Sequence, residues 1–241
     1  MNLSVIIPAY NESKRITNTV IRISKYLKEK NHDYEIIVVD DGSRDNTAEI
    51  VSELSKEYEN LSLVKNGKNK GKGYSVKNGM LHAERDYLLF SDADLSTPIE
   101  EIEKFLPWLK EGYDVVIASR ALKGSDIKIK QPFYRVFIGK TFNKIVQIIA
   151  TRGIKDTQCG FKLFTKKAAK RIFPKQKLER FGFDVEILYL TKKFGFKIKE
   201  VPVIWINAEG SKVSPIKDSI DMLKDLFIIR LNDLLGKYKE N

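Results

Sequence analysis

Apolar and polar positions alternate along the first half of the chain in two rhythms. Short runs of β-branched and aliphatic residues at 3–8, 34–40, 61–66, 87–90 and 114–119 read as five strands. Between them, apolar residues recur at helical spacing. Residues 13–30 carry Ile16, Val20, Ile23 and Leu27 on one face, and 46–58 and 73–83 read as further helices. Pro98 suits the first turn of a helix running to about Lys110. Strands that are apolar throughout, with helices between them, predict a mostly parallel sheet covered on both faces.

The rhythm changes after Arg120. Residues 132–150, "PFYRVFIGKTFNKIVQIIA", have a helical period but are unusually apolar and aromatic. Residues 160–173, "GFKLFTKKAAKRIF", read as a short strand followed by a basic helix. A helix is expected over 183–194, a strand over 197–206, and an amphipathic helix with a broad apolar face over 216–237. No repeat, low-complexity tract or flexible linker divides the chain. The expected architecture is one α/β domain over 1–241, with a helical, basic C-terminal elaboration.

Composition narrows the class. Of the 241 residues 42 % are hydrophobic, enough for a sizeable core. A single cysteine, Cys159, excludes an internal disulfide and a Cys-based zinc site, and fits a reducing cytosol. Met1 and Asn2 lead straight into the first strand, so no signal peptide is expected. No apolar run approaches the roughly 18–20 residues that span a bilayer. The expected location is therefore cytoplasmic, soluble or peripheral at a membrane.

Charge is unevenly placed. Residues 1–120 hold 17 Lys and Arg against 20 Asp and Glu, a net −3, whereas 121–241 hold 26 against 12, a net +14. The second half is suited to meeting an anion, such as a phosphorylated substrate or an anionic membrane surface. Nucleic acid is disfavoured because the basic half lacks a recognition motif. The apolar helices 132–150 and 216–237 have two readings, core packing or a membrane interface, and 216–237 has a third, a homodimer contact.

The chemistry belongs at the strand ends. Open parallel sheets bind ligands beyond the carboxyl ends of their strands. Here these ends read "PAYNE" (8–12), "DDGS" (40–43), "NKGKG" (69–73) and "SDAD" (91–94). Neither GxGxxG nor a P-loop pattern occurs. Gly71 and Gly73 let backbone N–H groups approach an anion, and Lys70 and Lys72 add charge. Asp92 and Asp94, one residue apart at a turning strand end, can reach one cation. Mg²⁺ often takes one or two carboxylates and completes its shell with substrate phosphate and water.

Three motifs, "VIIPAYNE" (5–12), "IIVVDDGSRDNT" (36–47) and "FSDADLSTP" (90–98), together resemble the family 2 glycosyltransferases of the GT-A fold. In the second half, "ASR" (118–120), "PFYR" (132–135), "DTQCGFKLF" (156–164), "FGFDVEILY" (181–189) and "EGSKV" (209–213) resemble a narrower group. That group transfers sugars to polyprenyl phosphates, as dolichyl-phosphate β-glucosyltransferases and dolichol-phosphate mannose synthases do. The resemblance implies a nucleotide-sugar-binding half (1–120) and an acceptor-binding half (121–241). It implies that Pro8, Ala9, Tyr10 and Glu12 line the nucleoside pocket, with Tyr10 against the base. Asp41 would hydrogen-bond the base beside Asp40, and Gly71 and Lys72 would lie along the nucleotide. Asp92, Ala93 and Asp94 would meet the diphosphate, with Mg²⁺ or Mn²⁺ held by Asp92 and Asp94.

Arg120, Arg135 and Lys212 are the implied contacts to the acceptor phosphate. Asp184 is the candidate base if the acceptor is a hydroxyl; orienting Lys or Arg is its other reading. Mannose synthases of this kind often carry Gln two residues after the second Asp. Ser96 stands there, which favours glucose from UDP-glucose over mannose from GDP-mannose. The expected reaction inverts the anomeric centre, with a dolichyl-type phosphate as acceptor. A family 2 transferase with a glycan hydroxyl acceptor is the alternative.

Overall fold

The computed structural model describes residues 1–128, 144–206 and 215–239, with side chains described throughout except at 215–220. Five strands stand where the apolar runs predict them: β1 (Asn2–Ala9), β2 (Asp33–Asp40), β3 (Leu61–Lys65), β4 (Tyr87–Ser91) and β5 (Val115–Ser119). The helices between them are α1 (Ile16–Glu29), α2 (Thr47–Glu57) and α3 (Lys72–His82). The helix expected from Pro98 is broken. A 3₁₀ stretch, Ile99–Lys104, gives way to a short α4, Leu106–Lys110. Pro107 explains the break, since it has no N–H to donate and its ring collides with the carbonyl one turn back.

Beyond β5 lie β6 (Asp126–Ile127), a helical segment α5 at 144–149, β7 (Phe161–Thr165), α6 (Lys166–Ile172) and α7 (Phe183–Lys193). The strand expected over 197–206 is two strands, β8 (Ile198–Pro202) and β9 (Ile204–Trp205). Pro202 ends the first, which pairs only with β5, and β9 leaves to pair with β6. The chain closes with α8 (Pro215–Leu234). Most of the helix expected over 132–150 lies outside the described residues.

The main sheet has seven strands in the order β3-β2-β1-β4-β7-β5-β8. All are parallel except β7, which runs antiparallel between β4 and β5. Strand residues alternate between two cores. Val5 and Ile7 face α1 and the 99–105 segment, whereas Ile6 faces α3 and α7. Among the described residues, no helix is long and apolar enough to cross a membrane.

The antiparallel strand decides where the site lies. Register pairs Ala9 with Asp40, Ile6 with Phe90, and Ser91 with Phe161. The carboxyl ends of β1, β2, β4 and β5 therefore share an edge with the start of β7. Residues 156–160, which precede β7, are delivered to the same rim as Asp92 and Arg120.

Candidate functional site

The loops after β1 and β2 interlock through backbone amides. Those of Asn11, Glu12 and Ser13 donate to Ser43, Thr47 and Asp45, and that of Arg44 donates to the Asn11 side chain. Pro8, Tyr10 and Glu12 stand half-buried along this edge, with Ala9 beneath them. Glu12 pairs with Arg15 at 2.6 Å. Asp40 accepts the Ser43 amide at 3.2 Å. Asp41 accepts from the Asn66 side chain and from the amides of Lys70 and Gly71, at 2.8, 3.0 and 2.8 Å. Asp41 thus fastens the loop that presents Lys72, a positioning task distinct from the base contact that the resemblance implies.

Gly71 is required where it stands. Its φ is +108°, and a Cβ there would lie 2.5 Å from the Glu179 carbonyl oxygen. Lys72 follows at the first turn of α3. Its Nζ lies 2.6 Å from Asp92 Oδ1 and 5.1 Å from the centre of the Phe90 ring. Burial works against the Lys72 charge, but Asp92, Asp184 and Asp94 outweigh it and raise its pKa.

After β4 the backbone turns sharply, with Leu95 in the left-handed region at φ +47°. Asp94 accepts the Ser96 amide at 2.9 Å, and the Ala93 carbonyl accepts the Thr19 hydroxyl at 2.6 Å. Ser96 is buried, and its carbonyl accepts the Ile206 amide at 2.7 Å. Gly160 supplies the cradle for Asp92: a Cβ there would lie 2.0 Å from Oδ2. Among the described residues, no group of three or more His, Cys, Asp or Glu converges on one point. Asp92 and Asp94 are a two-carboxylate set, which fits a hard divalent cation that takes its remaining oxygens from a diphosphate and water.

Behind them lies a buried ion pair. Lys162 is 0 % exposed and donates to the Cys159 carbonyl at 2.7 Å and to Asp184, which is 1 % exposed. Burial pushes the Asp184 carboxyl up, opposed by Lys162 and Lys72. Asp184 therefore faces a buried lysine partner. Cys159 is a packed thiol, pushed up to about 11, mainly by burial.

Arg120 closes the rim on the β5 side. Its Nε and one Nη grip Asp156 at 2.7 and 2.8 Å, its amide donates to the same carboxylate at 2.9 Å, and its guanidinium lies 5.3 Å from the Trp205 ring. Two of its five N–H groups are engaged by this fork. Burial opposes the Arg120 charge, but Asp156 outweighs it, with Asp92 among the other acids that help hold the proton. Burial would raise Asp156, yet Arg120 holds it down at about 2. Arg135 and Lys212 lie outside the described residues.

The Asp156 shift has a pH signature. A carboxyl lowered from 3.8 to about 2 stabilises the fold at pH values above about 4, by about 2 kcal/mol. That contribution is lost as pH falls from about 4 to about 2. Denaturation of the wild type and Asp156→Asn across this window should show the wild type losing stability more steeply. Equal slopes would remove the ion pair from the account.

Two buried charged groups, Lys162 and Glu186, have partners that the sequence does not reveal. Lys162 sits among apolar residues in "GFKLF", and only that mismatch signals a partner. Glu186 is fully buried, accepts the amides of Lys177 and Leu178 and the Tyr238 hydroxyl, and so ties the chain end to the loop beside α3.

Residues 4–173 match Glycosyl transferase family 2. The chain belongs to this family. Dolichyl-phosphate beta-glucosyltransferase of Dictyostelium discoideum is 42 % identical over 98 % of this chain and 76 % of its own length. The Saccharomyces cerevisiae protein of the same name is 40 % identical over 99 % and 77 %. In three dimensions the chain is similar to glucosyl-3-phosphoglycerate synthase of Mycobacterium tuberculosis, solved with Mn²⁺, UDP and phosphoglyceric acid. The TM-score is 0.68 at 19 % identity, over 100 % of this chain and 79 % of that one. This family member therefore has the expected GT-A architecture, a mostly parallel sheet in which β7 alone among the seven strands runs antiparallel.

Proposed function

We propose that this family 2 enzyme transfers glucose from UDP-glucose to a polyprenyl phosphate of the dolichyl type, with inversion. The relatives named above, at 40–42 % identity over nearly the whole chain, support the donor sugar and the acceptor. One observation carries the choice of a phosphate over a hydroxyl. Asp184, the carboxylate that a hydroxyl acceptor would need as base, is 1 % exposed and committed to Lys162. A phosphate monoester needs no base, because with a second pKa near 6 it is largely dianionic at pH 7.

The residues then divide the work. The strand-end loops at 8–12 and 40–41 receive the nucleoside, and Lys72 lies along the diphosphate. Asp92 and Asp94 would hold Mg²⁺ or Mn²⁺; such a cation, when bound, stabilises charge on the departing nucleoside diphosphate. The solved relative carrying Mn²⁺ with UDP supports this cofactor class. Arg120, with Arg135 and Lys212, docks the acceptor phosphate, as guanidinium forks do well. An acceptor oxygen forms its bond to the anomeric carbon as the bond to UDP breaks, and no proton has to move. An α-linked donor yields a β-linked lipid phosphodiester. The assay is glucose transfer to a short polyprenyl phosphate from a panel of nucleotide sugars; an α-linked product would refute inversion.

The acceptor's lipid also gives α8 a role. Met222, Leu226 and Ile229 face inward, while the outer face exposes Phe227 (66 %), Leu231 (54 %) and Leu234 (83 %), with Arg230, Lys237 and Lys239 also exposed. An exposed apolar stripe on a helix of mixed charge, with Lys237 and Lys239 just beyond it, suits a peripheral site on a cytoplasmic leaflet. Phe227→Ser with Leu234→Ser should reduce partitioning onto phosphatidylserine vesicles, read by flotation, by at least about a hundredfold, since burying each such side chain contributes about 1.5–3 kcal/mol. Unchanged flotation, or a wild-type dimer that the substitutions split, would transfer this face to a homodimer contact.

A further inference from the structure

Three features surround the Lys72 ammonium. Asp92 lies close over Gly160, where a Cβ would sit 2.0 Å from Oδ2. The Lys72 backbone is held between Gly71 and Gly73. A Cβ on Gly73 would lie 2.6 Å from Phe183 Cβ, and the Tyr74 amide donates to the Glu179 carbonyl at 3.0 Å. The third is Lys162, which occupies Asp184 as its ion-pair partner. The four-carbon Lys72 side chain lies over Phe90 with its ammonium on Asp92 Oδ1. A divalent cation held by the Asp92 carboxylate would meet an ammonium 2.6 Å from Oδ1, so the two cations would compete for one carboxylate.

We propose that Lys72 is an exchangeable counter-ion. It neutralises Asp92 while the site holds no metal, and moves to the donor's diphosphate when Asp92 is given over to a divalent cation. Asp184 cannot receive it as a sole partner, because Lys162 already neutralises that carboxylate. The diphosphate is then the anion within reach, so metal and donor load together and either alone is disfavoured. This rests on the metal-site reading of Asp92 and Asp94.

The test is equilibrium binding, read by Mn²⁺ electron paramagnetic resonance for the metal alone and by calorimetry for UDP at saturating Mn²⁺. Lys72→Met should bind Mn²⁺ alone roughly fivefold tighter, the scale of a partly exposed ion pair. It should bind UDP with Mn²⁺ several-fold more weakly. Lys72→Arg should stay near wild type in both. Damage to the fold would weaken both ligands together, so the opposite signs distinguish exchange from disruption. Lys72→Gln provides a second neutral variant with the same expected signs. Mn²⁺ binding that is unchanged or weaker in both neutral variants overturns the exchange. Asp92→Asn separates the two claims: it should abolish Mn²⁺ binding, and if binding survives, the metal-site reading falls and the exchange with it.

Discussion

Asp92→Asn is expected to lower sugar transfer by roughly 100- to 1,000-fold while leaving the fold intact. The magnitude is that of removing one preorganised electrostatic group from a transition state. Asn preserves the shape of the side chain but removes the charge that attracts a divalent cation and anchors Lys72 at 2.6 Å. Stability should change little, because Asp92 is half-exposed and such pairs contribute at most about 1 kcal/mol. Gly160→Ala should reach the same end by geometry alone. The new Cβ would lie 2.0 Å from Asp92 Oδ2, so the carboxylate must move, and a displacement of about 1 Å costs on the order of 100-fold. Steady-state transfer, with thermal unfolding measured in parallel, checks both. Near-normal transfer by folded Gly160→Ala would show that Asp92 does not act from its present position.

Lys162→Met should have the largest effect on stability, a loss of about 3–5 kcal/mol. Lys162 and Asp184 are 0 % and 1 % exposed, so removing the ammonium leaves a carboxylate buried without its partner. The Cys159 carbonyl loses its donor as well. Replacing both partners, as in Lys162→Met with Asp184→Asn, should restore most of the loss, because an apolar or neutral pair avoids the cost of a stranded charge. Denaturant unfolding of the two singles and the double measures this directly. A single-variant loss below about 1 kcal/mol would mean that the carboxylate finds another partner.

Much of the nucleotide-side rim is legible in the sequence because the information is local. Each of β1, β2 and β4 is a short apolar run that ends in polar residues, and parallel strands put those ends on one edge. Asp92, Asp94 and Lys72 could be grouped on that basis alone. The acceptor side depends on pairing between distant segments. Nothing near Phe161 says that β7 runs antiparallel between β4 and β5, yet that placement brings Asp156 to Arg120 and Gly160 to Asp92. The Lys162–Asp184 pair spans 22 residues and two elements, and from sequence each side chain has several plausible partners. Two prolines interrupt elements that apolar periodicity alone would continue. Pro107 splits a helix whose apolar spacing looks continuous, and Pro202 ends a strand that β-branched residues extend on paper.

The central claim is that this fold delivers a sugar to a phosphate and needs no base to do so. The most direct measurement is the pH dependence and acceptor choice of Asp184→Asn, using UDP-glucose with either a short polyprenyl phosphate or the corresponding polyprenol, and resolving the anomer formed. The account predicts β-linked glucosyl phosphate from the phosphate alone, no transfer to the alcohol, and, per folded Asp184→Asn molecule as measured by parallel unfolding, a rate reduced only modestly with no change in pH profile, since stranding Lys162 costs stability rather than a base. Transfer to the alcohol that disappears in Asp184→Asn would contradict it and make Asp184 a base.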